Sequence, residues 1–188
     1  MDREKIEAGV RLILEGVGED LTREGLLETP RRVAAMYEEI FAGLSQDAGS
    51  HLCVTFGEGH QEMVLVRDIP LYSVCEHHLL PFVGKAHVGY LPSDRILGLS
   101  KFARVVEMFS RRPQVQERLT KQVTDWLDRE LSPRGVGVVL EAEHSCMSLR
   151  GSKVAGAMTR TAALTGAMRS DPATRAEFFA AIAGRRAA

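Results

Sequence analysis

The sequence has little sulfur to cross-link. Three cysteines, Cys53, Cys75 and Cys146, spread over 188 residues are too few and too scattered for a disulfide framework. It also has no apolar run approaching the ~18–20 residues of a membrane helix. Its first residues, Met1 to Lys5, are charged where a signal peptide is apolar. These absences predict a cytoplasmic protein with reduced thiols and no membrane partner. Excess charge is missing too: 24 Lys and Arg against 25 Asp and Glu leave a net charge of −1, with no global basic field for nucleic acid. Neither an internal repeat nor a low-complexity tract interrupts the chain. What remains is an ordinary globular mix, 45% hydrophobic and 26% charged, long enough to bury a core in one structural unit.

The first 43 residues read as a helical segment. Ile6, Val10 and Ile13 stripe a helix over 2–16. Thr22 is placed to cap a short helix, and Thr29 to cap another with Pro30 in its first turn. A glycine-containing loop (Gly49, Gly57, Gly59) follows, and the period changes to two. Residues 63–71 alternate as a strand, with 82–90 as its antiparallel return. Ser100 is placed to cap a helix over 101–111, and Pro113 to open another reaching Leu131. A long strand is expected from Gly135 to Leu149, a partner strand within 153–166, and a helix over 174–183. Helices grouped around an antiparallel sheet predict an α+β domain over residues 44–188, preceded by the helical segment 1–43.

Chemistry concentrates in two places. Between Pro70 and Pro81 stand Cys75, Glu76, His77 and His78. A strand would put Cys75 and His77 on one face, whereas a tight turn would let Cys75 and His78 converge at the Cys-x-x-His spacing of zinc sites. Spacing alone leaves both open, and hydrogen-bonded core histidines would satisfy the same residues. The second place is Glu143 to Arg150, where a continuous strand would project His144, Cys146, Ser148 and Arg150 from one face. Two thiols and one imidazole would make an open three-ligand zinc site, with two histidines left for proton transfer. The rivals are a Cys75–Cys146 disulfide and a closed Cys2His2 structural site. The His-x-Glu and Pro-Cys-x-x-Cys pattern of zinc nucleobase deaminases is not present. Cys53, between Leu52 and Val54, reads as a packed apolar side chain.

The segment 100–112 is locally basic: Lys101, Arg104, Arg111 and Arg112 face only Glu107. Lys101, Arg104, Met108 and Arg111 fall on one helical face, and Ser100 with two cations at a helix N-terminus suits phosphate. A solvated basic face is the competing reading. Glu117 either complements a helix dipole or accepts the paired N–H groups on the edge of guanine.

Cys75 to His78, Gly98 to Lys101, Arg112 to Thr120, and the run from His144 to Gly151 occur in the order found in type I GTP cyclohydrolases. The sequence resembles that family from Thr29-Pro30 through Phe178. The resemblance implies the tunnelling fold (T-fold), an antiparallel sheet with helices packed on one face, assembled as a homodecamer of two pentamers with active sites between subunits. It implies conversion of GTP to formate and 7,8-dihydroneopterin triphosphate, the first step of folate and pterin synthesis. By motif, Cys75, His78 and Cys146 become Zn2+ ligands, which selects the turn, and His77 and His144 become the proton-transfer pair. Ser100, Lys101, Arg104 and Arg150 become phosphate and ribose contacts, and Gln116 and Glu117 the base pocket. Ser152-Lys153 depart from the family, which has an aliphatic residue there. The competing class is a non-catalytic purine- or pterin-binding T-fold protein with a structural zinc.

Overall fold

The computed structural model describes residues 1–46 and 55–184, so the expectations for Gly49 and Cys53 lie outside the described residues. Helix α1 (Arg3–Gly16) starts where the Asp2 carboxylate accepts the Lys5 N–H, and it packs on α2 (Thr29–Ile40). Its packed stripe is Ile6, Val10 and Leu14, not Ile13, which is 65% exposed. Thr29 is itself the first helical residue rather than the cap; its hydroxyl donates back to Gly25 O (3.4 Å). Thr22 caps nothing either, because its hydroxyl is engaged by Asp20.

A two-residue pair joins β1 (Thr55–Phe56) and β4 (Ile96–Leu97). The main sheet has β2 (Val64–Cys75), β3 (Pro81–Leu91), β5 (Pro113–Gln114), β6 (Gly135–His144) and β7 (Met158–Leu164), in the order β5-β2-β3-β6-β7. All pairs are antiparallel except β2–β5, and the sheet curls into the half-barrel of a T-fold.

Three local features differ from the simple periodic reading. The alternation expected across 63–71 breaks at a bulge between Val66 and Ile69, where Asp68 sits at φ 58°. One extra residue flips the faces: Val64 and Val66 face the main core before it, Ile69, Leu71 and Cys75 after it. Pro113 opens no helix; it pairs with Val74 as a short parallel strand, and α4 (Gln116–Leu131) starts three residues later. The expected strand to Leu149 stops at His144, and Ser145–Ser148 form one helical turn, α5. His144 pairs with Phe82, and the next position would meet Pro81, which has no N–H to continue the ladder.

Helices α3 (Ser100–Ser110) and α4 cover one face of the sheet. Phe102, Val105, Val106, Leu119, Val123 and Trp126 bury against Leu71, Phe82, Val88, Val138 and Leu140. Met108 joins this core rather than the basic face, at 2% exposure. After α6 (Gly166–Ser170), α7 (Pro172–Ala183) is capped by the Asp171 carboxylate and reaches the opposite face. There Phe178 packs on Val139 over Gly89 and Gly137; a Cβ on Gly137 would come within 2.7 Å of its ring. The N-terminal helices are tied on through Gly43, whose N–H donates to Arg111 O (2.9 Å).

Candidate metal centre and substrate site

Cys75 ends β2, and the chain turns back at once. Its N–H donates to Leu80 O and its carbonyl accepts from Leu79 N–H, both at 2.8 Å. Closing this turn puts Leu79 at φ 54°, a left-handed conformation that costs a non-glycine residue roughly 1–2 kcal/mol. Strand β5 braces the turn: Glu76 N–H donates to Gln114 O (3.0 Å), and the Glu76 carboxylate pairs with Arg118. The turn brings both His77 and His78 to Cys75, and only His78 also comes within reach of Cys146. From the other side, the helical turn α5 delivers Cys146.

The ligand atoms of Cys75, His78 and Cys146 all lie within 4.8 Å of one another. Zn–S and Zn–N bonds of ~2.3 and ~2.1 Å at a tetrahedral angle set neighbouring donors ~3.6 Å apart. The Cys75 Sγ to His78 Nδ1 distance is 3.9 Å, so the donor set fits zinc with little adjustment. Both thiols are free, which removes the disulfide rival. Burial, followed by the neighbouring Cys75, pushes the Cys146 thiol up, a cost that a bound cation reverses. Two soft thiolates with one imidazole select zinc over harder cations, and three protein ligands leave one position open, as catalytic zinc requires.

Around this cluster stand the other chemical groups. His77 is 3.9 Å from Cys75 Sγ through Nδ1, but its side chain is 66% exposed and outside the three-donor set. Arg150 follows α5, and its guanidinium lies 3.0 Å from His78 Nε2. His144, the last residue of β6, stacks on Phe82 at 4.5 Å between centroids and 12° between planes. Burial holds its pKa below the ordinary value, opposed by the charge of Glu117. Gln116, buried at the start of α4, meets His144 Nε2 through Oε1 at 2.7 Å. Glu117 is exposed in the single chain. Phe82 and Leu79 escaped the sequence reading. Phe82 is revealed only by its register opposite His144, and Leu79 carries no turn signal of its own.

Ser100, Lys101 and Arg104 are elsewhere. The Leu97 N–H donates to the Tyr90 hydroxyl (2.9 Å), which fixes the start of α3 at the Tyr90 end of β3. Phe82, beside His144, is eight residues back along that strand, or ~26 Å at ~3.3 Å per residue. Within one chain the basic helix start and the metal cluster occupy opposite ends of the sheet.

A T-fold with a Cys2His donor set at the end of its sheet defines the class: a T-fold protein with a zinc site that keeps one position open. The sequence profile of GTP cyclohydrolase I matches residues 6–183. The GTP cyclohydrolase 1 of Carboxydothermus hydrogenoformans is 61% identical over 183 residues, 97% of this chain and 95% of that one. That of Pelotomaculum thermopropionicum is 60% identical over 185 residues, 98% of each chain. The Halalkalibacterium halodurans protein is 57% identical, again over 98% of each. The chain belongs to the GTP cyclohydrolase I family.

Proposed function

We propose that this chain converts GTP and water to formate and 7,8-dihydroneopterin triphosphate at the Cys75/His78/Cys146 centre. The observation that carries the reading is the convergence of two thiols and one imidazole on an open site in a chain of this family. Bound zinc supplies a Lewis acid and, at neutral pH, a hydroxide nucleophile for C8 of guanine. The protein's own groups do the rest. Glu117 accepts the paired N–H groups of the guanine edge, a charge-assisted contact that adenine cannot return. His144 and His77 move protons as the imidazole ring opens and formate leaves. Arg150 holds the ribose-phosphate side, and Ser100, Lys101 and Arg104 hold the triphosphate.

Ser100, Lys101 and Arg104 open α3 away from the metal cluster of their own chain, and this reading assigns them to the site of a second copy. Among the described residues, β7 and most of β2 have an unpaired edge that suits joining sheets between copies. A decamer of two pentameric rings is the assembly we propose. No helix among the described residues is long and apolar enough to cross a membrane, and with two free thiols we place the protein in the cytoplasm.

The test is incubation of the zinc-loaded protein with GTP, measuring formate and, after oxidation, pterin fluorescence. The reading expects both in equal amounts. Formate without pterin would make the protein a ring-opening hydrolase, and neither product would make it a binding module.

A further inference from the structure

Gln116 is 2% exposed, and its carboxamide is used up inside the fold. Nε2 donates to Leu140 O at 3.1 Å and to Thr159 O at 3.0 Å, with Thr161 Oγ1 also at 3.1 Å. The two carbonyls can only accept, so they orient the amide without ambiguity: the NH2 group faces the sheet and Oε1 faces His144. An amide oxygen can only accept. The nitrogen that meets it at 2.7 Å, His144 Nε2, must therefore carry a proton. A neutral imidazole has one N–H, so Nδ1 is left as the bare nitrogen. Phe82, stacked at 4.5 Å, holds the ring plane, but stacking permits a ring flip that would put Cε1 in the place of Nε2. The Gln116 oxygen forbids that flip.

We propose that Gln116 is a positioning residue for the reaction, holding the His144 ring in one orientation and fixing it as the Nε2–H tautomer. Its place in the base pocket is thus exercised through His144 rather than by hydrogen bonds from its side chain to guanine. The neighbouring Glu117, whose side chain is exposed, is the residue left to read the base. Backbone carbonyls of β6 and β7 thereby set the chemistry of a side chain on β6. The arrangement parallels the carboxylate that fixes the histidine tautomer in serine hydrolases, except that a neutral amide adds no charge. The inference rests on the GTP reaction assigned above, but its first test does not.

Solid-state 15N NMR of the histidine-labelled, zinc-loaded protein reads the tautomer directly, with the His144 signal identified by its loss in His144→Asn. The expected spectrum shows His144 protonated at Nε2 and bare at Nδ1. A His144 protonated at Nδ1 overturns the proposal whatever the protein catalyses. In Gln116→Met, which has similar volume and no polar atoms, a mixed tautomer signal is expected with zinc content retained. With GTP, kcat falls at least ~10-fold while KM stays within ~2-fold. A raised KM with kcat intact, or an unchanged tautomer, assigns Gln116 to the base instead and also overturns the proposal. If wild-type protein leaves GTP untouched, the functional reading fails, and the two spectra still decide what Gln116 does to His144.

Discussion

Single residues set the chemistry by what surrounds them. Cys146 lies beside Cys75 and His78 because one helical turn follows β6, and its thiol is disfavoured as thiolate until a cation compensates it. Cys146→Ser replaces a soft ligand with a hard, weakly acidic one. Zinc content and formate release should fall together, by more than the ~10–100-fold cost of losing an outer-shell partner. Metal analysis beside the formate assay checks this; full zinc with full activity would make Cys146 a packed thiol. His87 is a different case, 4% exposed and remote from the metal. Its Nδ1 accepts the Asp68 N–H at the bulge (3.3 Å), and Nε2 has no hydrogen-bond partner, 3.7 Å from Glu141. Burial lowers its pKa against the opposing charges of Glu141 and Asp68, with Lys85 and Arg67 adding to the depression. The unfolded chain then binds the extra proton, so stability is lost as pH falls from ~6.5 towards the depressed folded value. His87→Asn keeps an acceptor for Asp68 and removes the titration. Urea unfolding between pH 7.5 and 5.5 should show a shallower pH slope in the variant, by up to ~1.4 kcal/mol per pH unit. Equal slopes would contradict the burial argument.

Elements explain which parts of the fold the sequence announced. The 82–90 strand and the 174–183 helix were legible in position: β3 starts at Pro81 and α7 behind the Asp171 cap, each within about two residues of the expected bounds. The Cys-x-x-His spacing announced a metal turn, although only the family resemblance chose turn over strand. What stayed hidden was non-local. The Asp68 bulge flips the faces of β2 without any glycine to signal it. Pro113 becomes a strand because Val74 lies beside it, and β6 ends at His144 because its partner runs out at Pro81. Both follow from neighbours distant in sequence. The same holds for α7, whose last turn is fastened by a residue 114 positions earlier: Arg67 donates to Ala181 O and Gly184 O, each at 2.7 Å. A guanidinium there satisfies orphan carbonyls and opposes the helix dipole. Arg67→Met should lower amide-exchange protection in α7 by ~1 kcal/mol, with β3 and β6 unchanged. Unaltered protection in α7 would show the Phe178 packing alone holds the helix.

At the scale of the whole molecule, the sheet is both scaffold and ruler. One end gathers Cys75, His78, Cys146, His144, Gln116 and Glu117, and the other holds the first turn of α3. In the function proposed above, a substrate with its base at the metal and its triphosphate on Lys101 and Arg104 joins residues of two copies. The account therefore stands or falls on sites shared between copies. The direct measurement mixes two impaired variants, Cys146→Ser and Lys101→Ala, unfolds and reassembles them together with zinc, and follows pterin formation from GTP. Random reassembly gives roughly a quarter of sites an intact metal cluster from one chain and an intact α3 from another. The account predicts recovery towards that fraction from two preparations that are each nearly inactive. A mixture no more active than its components would place both halves of the site in one chain and contradict it.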